Sequence, residues 1–102
     1  MEGSNKMTAV EINNEFNSFL VLAKSNDFDE YSNLHLLSKL SNQLKEFIKE
    51  NSLQDLRGIL IDLLIVIAAI AGVLTSKAGL DLINGMLNEI EKWRLKSFGS
   101  TY

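Results

Sequence analysis

Residues Leu56 to Leu74, LRGILIDLLIVIAAIAGVL, form a long apolar stretch in which Asp62 is the only charged residue after Arg57. Large aliphatic residues recur in it at steps of three and four, which places them on one face of a helix. These residues are Leu56, Leu60, Leu63, Ile67, Ile70 and Leu74. The stretch therefore predicts a helix with one strongly apolar face, around which the other helices pack.

The opposite side of the same helix carries mostly small or polar residues, which would let another backbone come close. They are Gly58, Asp62, Ile65, Ala69, Gly72 and Ser76. Because the remaining positions are also apolar, the helix is hydrophobic nearly all round, as is typical of a central bundle helix or of a membrane segment. We therefore expect its second side, from Gly58 to Gly72, to face an interface or a membrane.

The length of the stretch favours a buried helix over a membrane-spanning one. Its uncharged part, residues 63–74, would rise only ~18 Å, and a start at Ile59 gives ~24 Å, against ~30 Å of bilayer hydrocarbon. A longer span would bring Asp62 into the hydrocarbon, at up to about 2.5 to 3.5 kcal/mol at full depth. The aliphatic residues would offset that penalty, so insertion of residues 59–74 remains the alternative.

The composition indicates one helical domain. The 102 residues are 46% hydrophobic and 23% charged, which suits a single core, and there is no proline to interrupt a helix. The absence of cysteine excludes disulfides, thiolate zinc sites and cysteine nucleophiles. A net charge of −3 repels nucleic acid on average. No secretory signal is recognisable at the N-terminus, so the default location is the cytoplasm, with membrane association as the alternative.

Capping patterns and apolar periodicity divide the chain into four helices. Thr8 and Glu11 have the spacing of a capping box, and related patterns begin at Asp27 and at Ser52. The predicted fold is an all-α, antiparallel four-helix bundle with a central hydrophobic third helix. The predicted boundaries are residues 9–24, 28–50, 53–74 and 77–96, within a single domain over residues 8–97, between disordered tails at residues 1–7 and 98–102.

The links between the helices lead to two further expectations. The turn at Asn51 is very short, with Asn51 as a left-handed C-terminal residue, so helices two and three should form an antiparallel hairpin. Alternatively, helices three and four are one rod ~60 Å long, which would require an oligomer.

The predicted core consists of Phe16, Phe19, Leu20, Leu37, Leu40, Leu44, Phe47, Leu60, Leu63, Ile67, Ile70, Leu74, Leu80, Ile83, Leu87 and Ile90.

No pattern of residues predicts a catalytic site, a metal site or a cofactor. His35 is the only histidine, and with no cysteine in the chain it cannot assemble a nitrogen-rich or thiolate metal site. Asp62 should lie either at the water-exposed edge of the bundle or near a lysine such as Lys39 or Lys45. Trp93, which stands in a basic cluster, is a further candidate for an interface or for a membrane headgroup zone.

These patterns predict a non-enzymatic protein–protein interaction module, such as a small adaptor, an inhibitor or a homotypic assembly domain, acting through helix faces. Its partner would be a second copy of the chain or another helical protein, and not nucleic acid. The alternative is a membrane-active, pore-forming or holin-like protein that inserts residues 59–74. The two differ in whether the apolar helix is covered by protein or by lipid.

Overall fold

The computed structural model describes the backbone of residues 7–51 and 53–99 and the side chains of residues 7–51 and 56–96. The prediction of an all-α helical bundle is confirmed. Its elements are α1 (Ala9–Ala23), a 3-10 helix (Tyr31–Asn33), α2 (Leu34–Glu50), α3 (Leu53–Val73) and α4 (Lys77–Gly99). Because α3 and α4 are separated at residues 74–76, the single-rod alternative is wrong.

The first helix begins where its capping box predicts. The Glu11 backbone N–H donates to the Thr8 hydroxyl at 3.1 Å, and the Thr8 N–H donates to the Glu11 carboxylate at 2.8 Å. Met7, just before this cap, packs against the core, although it falls in the predicted tail. Residues 1–6 and 100–102 of the predicted tails lie outside the described residues, as does the predicted cap at Ser52.

The second helix begins at Leu34, not at residue 28, because the preceding residues make other bonds. The Asp29 carboxylate accepts from the Ser32 hydroxyl at 2.6 Å, and the Asp29 carbonyl accepts from the Asn33 side-chain amide at 2.8 Å. These bonds stabilise a turn and the 3-10 helix. Glu30, which was expected to complete a cap begun by Asp27, instead binds the distant link between α3 and α4.

Asn51 ends α2 by a different mechanism from the one predicted. Its backbone is extended, with φ −118° and ψ 154°, and so it is not a left-handed C-terminal residue. The Asn51 side-chain amide donates to the Phe47 carbonyl at 2.8 Å and satisfies one of the carbonyls that the helix end leaves free. The Asn51 side chain therefore supplies the hydrogen bond to a C-terminal carbonyl that a left-handed residue would otherwise supply through its backbone.

Each helix packs mainly against two others, and the order in space differs from the order in the chain. The closely packed pairs are α1 with α3, α2 with α4, α3 with α4, and α1 with α2. The predicted α2–α3 hairpin is not among these pairs in the described residues. We attribute this to Asn51, since its extended backbone directs the chain away from the axis of α2.

Successive helices alternate in direction, yet two of the packed pairs are parallel. Val10, near the start of α1, lies beside Ile59, near the start of α3, whereas Glu30, after α1, bonds Thr75, after α3. Lys49 and Trp93, both near helix C-termini, share one groove between α2 and α4. We call the end of the bundle that contains these two residues the Trp93 end, and the opposite end, where residues 30 and 74–79 meet, the Glu30 end.

The core lies where the apolar stripes of all four helices converge. Most predicted core residues are buried, but Leu20, Leu80 and Leu87 at the edges of their stripes are only partly so. The buried hydrophobic residues are Ile12, Phe16, Phe19, Ala23, Leu37, Leu40, Leu44, Phe47, Leu56, Leu60, Leu63, Ile67, Ile70, Leu74, Ile83, Met86 and Ile90. The rings of Phe19 and Phe28 meet edge to face with centroids 6.0 Å apart, which brings the segment after α1 onto this core.

Candidate interaction surface

The two sides of α3 have opposite environments although both are apolar. Its predicted stripe, from Leu56 to Leu74, is buried at every position. The other side is exposed, and we call it the outer face of α3. It consists of Gly58, Ile61, Asp62, Leu64, Ile65, Ala68, Ala69 and Gly72. The outer face is an apolar surface that the described part of the molecule does not cover.

Three large side chains supply most of the apolar surface of this outer face. The exposed fractions are 57% for Ile61, 37% for Leu64 and 66% for Ile65. They lie one turn or less apart and therefore adjoin on the helix surface. Single exposed apolar residues are ordinary on a protein, whereas a contiguous apolar surface indicates contact with a partner or a membrane.

The sequence identified part of this surface. The five α3 candidates, Gly58, Asp62, Ile65, Ala69 and Gly72, are all exposed on the outer face. Ile61, Leu64 and Ala68 were missed as members of it. The signal was present, because Ile61 precedes Ile65 by four residues and Ala68 follows it by three. A helical spacing counted from Gly58 through Asp62 and Ile65 selects one row of this face and leaves out the adjacent positions 61, 64 and 68.

The small residues at the two ends of the outer face border open space. A side-chain carbon added at Gly58 or at Gly72 would meet no atom within 4 Å. No backbone of the described bundle therefore uses the close approach that these glycines permit. Since glycine inside a helix is destabilising by about 0.5 to 1 kcal/mol relative to alanine, folding of the monomer does not account for two of them here.

Asp62 lies at the edge of the outer face that borders α1. It is exposed, as expected, and shares a shallow groove of about 220 Å³ with Val10, Asn13 and Ile59. Its neighbours thus come from the first turns of α1. The lysines suggested from the sequence lie on α2, which is not among the helices packed closely on α3. Exposure to water satisfies the carboxylate without a buried partner.

Trp93 lies at a different place, in a groove of about 690 Å³ between the C-terminal parts of α2 and α4. The ring is partly buried and packs against the core. The charged residues around the groove are Lys45, Glu46, Lys49, Glu89, Lys92 and Lys96. Lys49 approaches Glu46 at 3.8 Å as an exposed pair within α2, and Lys92 approaches the partly buried Glu89 at 3.7 Å within α4. The structure thus separates Trp93 from the outer-face candidates.

At the Glu30 end, one carboxylate binds two helix termini. The Glu30 carboxylate accepts from the backbone N–H groups of Thr75 at 2.9 Å and of Ser76 at 2.8 Å. It also accepts from both hydroxyls, of which the Ser76 hydroxyl forms a very short contact. Ser76 in turn caps α4, since its hydroxyl oxygen accepts from the Gly79 N–H at 3.0 Å. We call these four residues the Glu30 junction.

The Glu30 junction stabilises the ionised form of its carboxylate. Burial raises the pKa of Glu30, but the hydrogen bonds from Ser76 and Thr75 together lower it more, so the pKa lies below the usual value of 4.5. A negative charge is also favourable beside the N-terminus of α4. The sequence could not identify this site, because Thr75 and Ser76 lie 45 and 46 residues after Glu30 in the chain.

Among the described residues, no group of three or more histidine or acidic side chains is arranged to hold a metal ion. His35 is exposed on α2 and lines a shallow groove that also contains Ser38, Glu46 and Glu50. The hydrogen bonds identified among the described residues do not connect His35 to any of these groups, so nothing in this arrangement indicates a catalytic base.

Comparisons with protein-family models, with curated proteins and with solved structures give no match to this chain. Judged by length and apolar composition alone, one helix in the described residues could cross a membrane. It is α3, whose Leu56–Val73 segment has a mean hydropathy of 2.4 and is one-third buried. A core helix of a soluble protein meets the same two criteria, so the exposed part of α3 is the more informative observation.

Proposed function

We propose that this protein is a non-enzymatic interaction module that associates through the outer face of α3, with a second copy of itself as the first partner to test. The observation that carries the proposal is the exposure of Ile61, Leu64 and Ile65 on one uninterrupted helical surface. Small residues at both ends of that surface would let another helix approach closely, as the exposed Gly58 and Gly72 permit.

The size of the surface supports weak association. The three aliphatic side chains are about half exposed, and two copies would together cover six of them, which corresponds to roughly 5 to 9 kcal/mol of apolar burial. Association loses about 4 to 15 kcal/mol of translational, rotational and side-chain freedom. Since the two ranges overlap, we expect a concentration-dependent dimer rather than a permanent one.

A second candidate function is insertion of α3 into a membrane. It is favoured by the mean hydropathy of 2.4 over Leu56–Val73 and by the fraction of that segment that the bundle leaves uncovered. An 18-residue helix rises ~27 Å, close to the ~30 Å of hydrocarbon in a bilayer. Asp62 opposes insertion, since a carboxylate deep in hydrocarbon is unfavourable by about 2.5 to 3.5 kcal/mol.

Sedimentation velocity of the full chain over a wide range of concentrations tests the first proposal. The wild-type protein should shift from monomer to dimer, and Ile65→Lys should weaken dimerisation by at least about tenfold, because it places a charge in the contact. The matched control is Leu95→Lys on α4, because Leu95 is 60% exposed and Ile65 66% exposed. The control should dimerise like the wild type.

Flotation of the same proteins with lipid vesicles separates the two functions. A wild-type protein that remains monomeric at every concentration, and that stays in solution when vesicles float, would contradict both. Flotation of the wild-type protein, lost in Ile65→Lys and kept in Leu95→Lys, would favour insertion. Dimerisation without flotation would favour the interaction module.

A further inference from the structure

The Glu30 junction is the one long-range polar connection identified among the described residues. Every other side-chain hydrogen bond identified there joins residues three or four apart, and the ion pairs do the same. The bonds from Glu30 to Thr75 and Ser76 span 45 and 46 residues. Contact between the N-terminal and C-terminal halves of the chain is otherwise apolar packing.

The junction is tightly packed around its carboxylate. A side-chain carbon at Gly79 would lie 2.6 Å from a Glu30 carboxylate oxygen and 3.0 Å from the Ser76 hydroxyl. Only glycine therefore fits here while the carboxylate keeps its position. The same bonds hold the link after α3 and the first turn of α4, so one side chain controls two helix ends at once.

We propose that the Glu30 carboxylate is a releasable latch. While ionised, it holds the α3–α4 link and the first turn of α4 against the N-terminal half of the bundle, and its protonation frees that end. A neutral carboxyl loses the charge that strengthens its four hydrogen bonds, and its protonated oxygen is a weaker acceptor. The Thr75 N–H donates to one carboxylate oxygen and the Ser76 N–H to the other, so protonation of either oxygen weakens a backbone hydrogen bond.

The ionisable groups around the junction do not duplicate this role. On α4, Lys77 pairs with Asp81 at 3.0 Å, and on the segment before α2 the Asp29 carboxylate is bonded to Ser32. Lys24 and Asp27, after α1, are exposed. The last three turns of α3 contribute none, because residues 63–74 are uncharged. All of the hydrogen bonds identified at the Glu30 carboxylate come from uncharged donors.

Opening of this end would uncover apolar surface at the C-terminal end of the buried stripe of α3. Leu74 is the last residue of that stripe and lies beside the junction, since a side-chain carbon at Gly79 would be 3.3 Å from it. The latch thus determines whether this end of the stripe is available to a partner in addition to the outer face. This consequence rests on the proposed function, whereas the latch itself does not, and the experiment below measures the latch alone.

The first measurement is an NMR titration of the wild-type chain, whose result does not depend on a variant that could fail to fold. The amide protons of Thr75 and Ser76 should move together in a single transition below about pH 4.5, the usual value for this carboxyl. In Glu30→Gln this transition should be absent. At neutral pH the variant should exchange the Thr75 and Ser76 amide hydrogens about 10 to 100 times faster, as expected for losing bonds to a charged acceptor.

Two further variants make the test specific. Asp29→Asn removes a neighbouring carboxylate that also has a lowered pKa, because of its bond to Ser32, and should leave the transition at Thr75 and Ser76 in place. Gly79→Ala should displace the intact Glu30 side chain and speed exchange at neutral pH. The latch is overturned if the two amides do not titrate, if Asp29→Asn removes the transition, or if Glu30→Gln exchanges like the wild type.

Discussion

The buried stripe and the outer face of α3 both carry large aliphatic residues, but these residues have different environments. Ile67 on the buried stripe is fully buried, whereas Ile65, two residues earlier, is 66% exposed. Because the two side chains are identical, their difference in exposure comes from which side of α3 the other helices occupy. An apolar helix thus supplies a core with one side and leaves the other available, and the two sides should respond differently to the same substitution.

The largest contrast is expected between Ile67→Ala and Ile65→Ala. The first should lower the free energy of unfolding by about 2 to 5 kcal/mol, because it leaves a cavity in the packed core. The second should change it by no more than about 0.5 kcal/mol, as is usual for a surface position. Urea denaturation at a concentration where the protein is monomeric measures both. Equal losses would mean that the outer face is covered in the folded protein.

At the Glu30 junction we expect an intermediate change in the free energy of unfolding, caused by the loss of hydrogen bonds and not by the loss of apolar packing. Glu30→Gln should lower the free energy of unfolding at neutral pH by about 1 to 3 kcal/mol, the range for hydrogen bonds to a charged group. Because the folded-state pKa of Glu30 lies below its usual value of 4.5, this stabilisation is present above that value and is lost as pH falls through the folded-state pKa.

Denaturation of wild type and variant at several pH values checks the sign of this dependence. The two stability curves should converge on the acid side and separate above about pH 4.5. Curves that remain parallel down to strong acid would show that the charge of Glu30 does not account for its contribution to stability.

The smallest changes in stability are expected when glycines of α3 and α4 are replaced by alanine. Gly72→Ala should raise the stability of the monomer by about 0.5 to 1 kcal/mol, because alanine favours the helix and the site is open. Gly79→Ala, a matched substitution in α4, should lower stability, since the new carbon would meet the Glu30 carboxylate. Thermal unfolding followed by circular dichroism compares the two. A destabilising Gly72→Ala would indicate that the outer face is in contact with something.

Local rules predicted much of this fold. The capping box of Thr8 and Glu11 forms as its spacing requires, and the buried stripe of α3 matches its periodicity at every position. Such patterns depend on residues three or four apart, which the sequence displays directly. Four buried hydrophobic residues outside the predicted core, Ile12, Ala23, Leu56 and Met86, belong to the same stripes and extend them.

The features that the sequence did not predict depend on distant residues. Glu30 has the spacing of a capping residue for the helix that follows it, and nothing near it in the chain points to Thr75 and Ser76. The pairing of α1 with α3 likewise depends on how the stripes fit in three dimensions. On the outer face of α3, the small size of Gly58 and Gly72 was enough to predict both as members. The exposure of Ile61 could not be predicted in this way, because it depends on which side of α3 the other helices pack against.

The interleaved pairing of the helices has a consequence for the newborn chain. As the polypeptide leaves the ribosome, α1 and α2 emerge before α3 and α4, which are the helices they pack against most extensively. Their stripes, with Phe16 and Phe47, therefore remain uncovered until α3 and α4 have been synthesised. Neither pair of helices completes the core by itself, so the bundle should fold only after α4 is made and should then do so in one cooperative step.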